Sequence, residues 1–279
     1  MANLKEIAIQ IRRDIVRMVH AVQSGHPGGS LGCTEYFTAL YFKVMKHIPS
    51  PFDMDAKDQD IFILSNGHIS PVFYSTLARS GYFPINELAT FRKINSRLQG
   101  HPATHEHLPG IRIASGSLGQ GMSVAVGAAL AKKMNNDPCI VYSLHGDGEL
   151  DEGQNWEAIM SAAHLKVDNL IATVDYNGQQ IDGSTSKVMD LGNLHKKFEA
   201  FGWHVIDLEK GNDVDEVVAT LENAKELVGK EKPIVILMHT VMGKGVDFME
   251  GTHEWHGIAP NDAQLEKALG QLPETLGDY

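Results

Sequence analysis

The chain has 279 residues, of which 43% are hydrophobic and 21% charged. That suits an ordinary folded protein with a sizeable core, in one large α/β domain or two small ones. Its 24 basic against 35 acidic residues give a formal charge of −11. Such a balance argues against nucleic-acid binding and makes a phosphorylated ligand depend on a metal or a local basic cluster, on this chain or another.

At the amino terminus Leu4, Ile7, Ile11, Ile15, Met18, Val19 and Val22 follow an i, i+3/i+4 rhythm among charged residues. The rhythm predicts an amphipathic helix, neither a signal peptide nor a membrane span. Ser24-Gly25-His26-Pro27-Gly28-Gly29-Ser30 is too rich in turn-formers for helix or strand and is read as a loop. Helical patterning resumes over 34–44. A short buried strand is expected at 60–64, ending in Ser65-Asn66-Gly67-His68, and a helix through Val72, Tyr74, Leu77 and Ala78 follows. Residues 92–118 carry little periodicity and much glycine, proline and histidine, the mark of a long functional loop. From Gly119 a run of small and apolar residues predicts a buried helix. Strands are expected at 139–144 and 170–174 with a helix over 156–165 between them, then at 203–208 and 234–239 with an amphipathic helix over 213–228. Alternating strands and helices predict an open, mostly parallel sheet with helices on both faces. No repeat or linker divides it, so residues 1–279 are expected to form one domain. Cys33 and Cys139 make no metal-ligand spacing and no disulfide framework, and a cytoplasmic setting is expected.

Gly146-Asp147-Gly148 closes one strand, and Asn177 closes the next roughly 30 residues later, the span of a βαβ unit. A parallel pair sets such strand ends side by side, where open α/β sheets bind ligands. One carboxylate, one amide oxygen and glycines that admit close backbone approach suit a hard divalent cation carrying a diphosphate. Four further loops hold His26, His68, His101, and the pair His253 and His256; at least three of the four are expected to line one pocket. Imidazole there can bond sugar hydroxyls and move protons near neutral pH. His105 and His107 are read as solvated. The glycines of 116–121 fall in the wrong order for a nicotinamide fingerprint, and Gly146-Asp147-Gly148 fails it too. Glu149, Asp151 and Glu152 are read mainly as acids of a helix's first turn.

With these motifs in order, the chain resembles the amino-terminal half of transketolase from near residue 5 to about residue 260. Ser24-Gly25-His26-Pro27-Gly28, Leu64-Ser65-Asn66-Gly67-His68, Gly100-His101-Pro102, Gly116-Ser117-Leu118-Gly119-Gln120-Gly121, Gly146-Asp147-Gly148, Asn177, Ile181-Asp182-Gly183 and His256-Gly257 carry the resemblance. It implies the thiamine diphosphate-binding fold, with Asp147, Asn177 and the Gln179 carbonyl holding Mg2+ or Ca2+. It also implies that Gly148 meets the diphosphate, that His68 lies near it, that Gly116, Ser117 and Leu118 border the aminopyrimidine, and that Ile181 packs on the thiazolium. His26, His101 and His256, with His253 as a rival to the last, resemble the histidines that bond the donor sugar. Asn66 and Met242 stand where some members have lysine, so no lysine compensates charge at those two places; Lys244 is a candidate substitute.

The resemblance further implies ketol transfer from a ketose phosphate to an aldose acceptor. The pyrimidine-binding domain and its activating glutamate do not follow residue 279, so the chain is either truncated or one half of a split enzyme. The split reading is preferred, with a separate carboxyl-terminal subunit in an α2β2 assembly. The alternative is an α-type subunit of a 2-oxo acid dehydrogenase or a deoxyxylulose phosphate synthase relative, in which the sugar-binding histidines are less expected.

Overall fold

Five parallel strands make the central sheet of the structure, a computed structural model that describes residues 3–279. In chain order the helices are α1 (Leu4–Ala21), α2 (Pro27–Gly32), α3 (Thr34–Ala39), α4 (Ser70–Arg79), α5 (Gln120–Met134), α6 (Gly153–His164), α7 (Thr185–Val188), α8 (Leu194–Ala200), α9 (Val214–Lys225) and α10 (Asp262–Gln271). The strands are β1 (Ile61–Leu64), β2 (Val141–Gly146), β3 (Leu170–Tyr176), β4 (Gln179–Gln180), β5 (Gly183–Ser184), β6 (His204–Leu208) and β7 (Ile234–His239). The sheet order is β1-β2-β3-β7-β6, and β4 and β5 form a separate antiparallel pair.

Strand periodicity sorts the core into two layers. Phe62, Leu64, Tyr142, Leu144, Ile171, Ile234 and Ile236 face one layer with the apolar faces of α1, α3, α4 and α9. Ile63, Val141, Leu170, Ala172, Val174, Val235 and Leu237 face the other, with α5, α6 and α8. Helices therefore cover both faces, as the alternation predicts. Among the described residues no helix is long and apolar enough to cross a membrane.

Two elements differ from expectation. The turn-forming stretch 24–30 is in part helical: Pro27 begins α2, where its fixed φ suits the first helical position and its missing N–H costs nothing. The glycines serve packing. A Cβ on Gly28 would stand 2.7 Å from Met242 and 2.8 Å from the Trp255 carbonyl, and one on Gly29 2.9 Å from Ile69. Second, α5 is buried on one face only. Met122, Ala125, Val126 and Ala129 point inward, while Ser123, Val124, Gly127 and Ala131 are exposed. Small residues allow close approach, but their presence does not say whether the approaching surface lies on the same chain.

Candidate functional site

β2 and β3 pair with Gly146 opposite Asp175, which brings Asp147 and Asn177 to the same end of the sheet. A cleft of about 260 Å³ opens there, and Asp147, Gly148, Asn177, Gln179, His68 and His256 are among its walls. His26, Gly116, Leu118 and Ile181 complete the predicted set that lines it.

The strand ends orient these groups through backbone and neighbouring acids. Asp147 is buried and accepts from the Gly148 N–H at 2.8 Å and the Gly178 N–H at 2.6 Å. Asn177 donates through Nδ2 to Asp175 Oδ2 at 2.7 Å, and its Oδ1 accepts from the Gln179 N–H at 2.8 Å. That network fixes which end of the amide is oxygen. Burial, and then the Asp175 charge, push Asp147 up to about 7, and burial raises Asp175 and Glu149 as well. The cleft thus gathers three carboxylates and no lysine or arginine. An anionic diphosphate would meet net repulsion unless a cation came with it.

Three imidazoles, His26, His68 and His256, line one side of the cleft, while the fourth expected one, His101, is exposed and adjoins His26 without lining it. The His26 ring lies 5.1 Å from His68, 5.7 Å from His256 and 6.2 Å from His101, and His68 lies 5.1 Å from His256. Burial, then the neighbouring rings and Arg92, hold His26 down at about 4. Burial lowers His68, His101 and His256 as well. Near pH 7 the cluster is neutral, each ring with one donor and one acceptor, the state that suits sugar hydroxyls.

The residues fit a bound group. Around the cleft His26 Nδ1, His256 Nδ1, Asn66 Oδ1 and Gln180 Nε2 are buried without a partner, a concentration that folded proteins rarely leave unanswered. The donors available from Asp147, Asn177 and the backbone are all oxygen, the preference of a hard cation. Among the described residues no cluster of three or more His, Cys, Asp or Glu side chains offers a softer alternative.

Some expected residues fall outside. His253 is exposed and does not line the cleft, whereas His256, three residues on, joins the ring cluster. Ser117 is exposed between Gly116 and Leu118, which do line it. Lys244 turns away to Glu250 at 3.2 Å, while Met242 and Asn66 occupy the wall. His105 is exposed, in keeping with the solvated reading.

Sequence reasoning missed two acids. Asp175 orients Asn177 and is signalled only by its place two residues before it. Glu149 does lie in a first turn, that of the short helical turn Gly148–Asp151, but it does more than face the turn's dipole. It is buried and accepts from the Ser65 hydroxyl, the Gly119 N–H at 2.8 Å and the Gly146 N–H at 3.0 Å. Ser65 in turn accepts from the Gly121 N–H at 3.1 Å. One carboxylate thereby ties the ends of β1 and β2 to the start of α5.

The family model described as "Transketolase, thiamine diphosphate binding domain" matches residues 4–275. The chain is 40% identical over 273 residues to one subunit of an apulose-4-phosphate transketolase from Actinobacillus succinogenes, covering 98% of this chain and 96% of that one. It is 41% identical over 270 residues to one subunit of a 6-deoxy-6-sulfo-D-fructose transketolase from a Clostridium species, covering 97% and 96%. The solved structure of transketolase from Leishmania mexicana superposes with a TM-score of 0.91 at 32% identity, over 100% of this chain but 42% of that one.

Proposed function

Because the chain belongs to the transketolase family, as a thiamine diphosphate-dependent transferase subunit, we propose that it forms the metal- and diphosphate-binding half of a split transketolase. It would move a two-carbon ketol unit from a ketose phosphate, or a ketose bearing another anionic group, to an aldose acceptor. The single observation that carries the reading is the convergence of His26, His68 and His256 in the cleft at the Asp147–Asn177 strand ends, with His101 beside His26. A polyhydroxylated donor has use for several neutral imidazoles; a small 2-oxo acid does not.

Within this reading Asp147, Asn177 and the Gln179 carbonyl hold Mg2+ or Ca2+. Gly148 approaches the diphosphate, Gly116 and Leu118 border the pyrimidine, and Ile181 packs on the thiazolium. Thiamine diphosphate supplies a stabilised carbanion once bound. The chain's own residues orient the sugar, accept and return protons at its hydroxyls through neutral imidazole, and narrow the cleft against water. Substrate hydroxyls would satisfy the free Nδ1 atoms of His26 and His256.

The relatives of matching length are named as subunits, which supports a partner chain; in this proposal that chain brings the pyrimidine-binding domain and the activating glutamate, and the two form an α2β2 enzyme of the cytoplasm. The test is reconstitution with that second chain, thiamine diphosphate, Mg2+ and a panel of ketose phosphates and sulfonated ketoses. Ketol transfer to an aldose is expected. Absence of transfer across the panel, or decarboxylation of pyruvate in its place, would overturn the proposal.

A further inference from the structure

Arg92 touches no group assigned a role above, yet its guanidinium lies against the loops that carry His26 and His101, on a backbone conformation that costs energy. Its φ is +54°, in the left-handed region that bulky residues avoid. Glycine or asparagine would adopt it more cheaply, so an arginine there points to a use for the side chain. A backbone bond from the Arg92 N–H to the Leu98 carbonyl at 2.8 Å closes the turn. The guanidinium then reaches two loops at once. Nη1 donates to Ser24 Oγ at 2.9 Å, two residues before His26. The planar group also fills the space over Gly100, the residue before His101: a Cβ there would lie 2.6 Å from Arg92 Cζ. Neighbouring Phe91 packs on the same loop, 3.4 Å from where a Gly25 Cβ would stand. Nε is buried without a partner, and no carboxylate among the described residues pairs with the guanidinium.

We infer that Arg92 is a positioning residue that ties the His26 loop to the His101 loop and sets an uncompensated positive charge beside both imidazoles. The charge resists protonation of either ring, so both can accept as well as donate hydrogen bonds at neutral pH. The other groups facing His26 are the imidazoles of His68, His101 and His256; among the charged groups acting on it, Arg92 is the one whose charge does not depend on pH in the working range. Glycine at position 100 leaves the guanidinium its place, since a Cβ there would push it aside.

The inference rests on the reading of His26 and His101 as sugar-binding residues, but its test needs neither sugar nor cofactor. Histidine Cε1 titration by NMR on the full chain reads each imidazole directly. Arg92→Met is expected to raise the apparent pKa of both His26 and His101 by about half to one unit, with His204 on β6 unmoved. Arg92→Lys, which keeps the charge, is expected to restore both. A folded Arg92→Met variant in which neither histidine shifts would overturn the inference. If Arg92→Met does not fold, Gly100→Ala is read the same way, since it displaces the guanidinium without removing it. The same upward shift is expected, and no shift overturns the inference. Failure of ketol transfer in the parent enzyme is a separate result that leaves the titration standing.

Discussion

Replacing Glu149 by alanine removes the acceptor of three inward-facing donors: the Ser65 hydroxyl, the Gly119 N–H and the Gly146 N–H. Each donor left buried without a partner costs about 1–3 kcal/mol, for roughly 3–9 kcal/mol in all. Relief of a buried carboxylate, whose pKa burial raises, returns part of this, so a net loss of about 2–5 kcal/mol is expected. That is a large share of the ~5–15 kcal/mol available to a folded domain. The damage concentrates where the Ser65 hydroxyl also receives the Gly121 N–H, so the loop before α5 and the end of β2 should loosen together. Glu149→Gln, nearly the same size, keeps one acceptor and turns the other into a donor facing an N–H; a loss of about 2 kcal/mol is expected. Urea denaturation of the metal-free chain measures both. A Glu149→Ala variant within about 1 kcal/mol of the parent would refute the argument that these bonds are satisfied at Glu149's expense.

Further outcomes follow from the same geometry. Asp147 is raised to about 7, so between its unfolded value near pH 4 and pH 7 the folded chain holds a proton that the unfolded chain has lost. The parent's stability from this group therefore falls as pH rises through that window. Asp147→Asn should gain on the parent by on the order of 3–4 kcal/mol from pH 4 to pH 7 without metal, and lose cation-dependent cofactor binding; parallel urea melts across pH check it. His26 has the opposite sign. Held down at about 4, it leaves the folded state neutral while the unfolded state protonates, so its contribution is complete above about pH 6.5 and is lost towards pH 4. His26→Gln should flatten that loss by about 1–2 kcal/mol, allowing for water at the cleft mouth, as read from thermal melts at pH 7 and pH 4.5. Gly121→Ala should cost about 1–3 kcal/mol, because its Cβ would fall 2.3 Å from Ser65 Oγ; a melt unchanged from the parent would contradict the close approach of α5 to the end of β1.

The sheet and the place of Asp147 and Asn177 at its strand ends were legible because period-2 burial and the βαβ spacing are local signals. Both Asp147 and Asn177 sit one residue past their strands. Less legible were features set by partners far along the chain. Residues 24–30 read as a loop until Met242, Trp255 and Ile69 explain why small residues pack there at the start of α2. α5 reads as buried because small apolar residues carry no mark of which neighbour they admit. Glu149 and Asp175 look like ordinary acids in sequence; their surroundings include donors far along the chain, Ser65 and Gly119 for the first and Thr240 for the second. The choice between His253 and His256 needed the short helical turn over His253–Trp255, which leaves the first outside and carries the second into the ring cluster.

The central claim is that Asp147, Asn177 and the Gln179 carbonyl grip one divalent cation beneath a diphosphate. Crystals of the chain with its second subunit, thiamine diphosphate and Mn2+, measured at the manganese edge, address it directly. The account predicts one anomalous peak at roughly 2.0–2.3 Å from an Asp147 carboxylate oxygen, Asn177 Oδ1 and the Gln179 carbonyl oxygen. A peak elsewhere, or cofactor bound at full occupancy with no peak at these three oxygens, would contradict it.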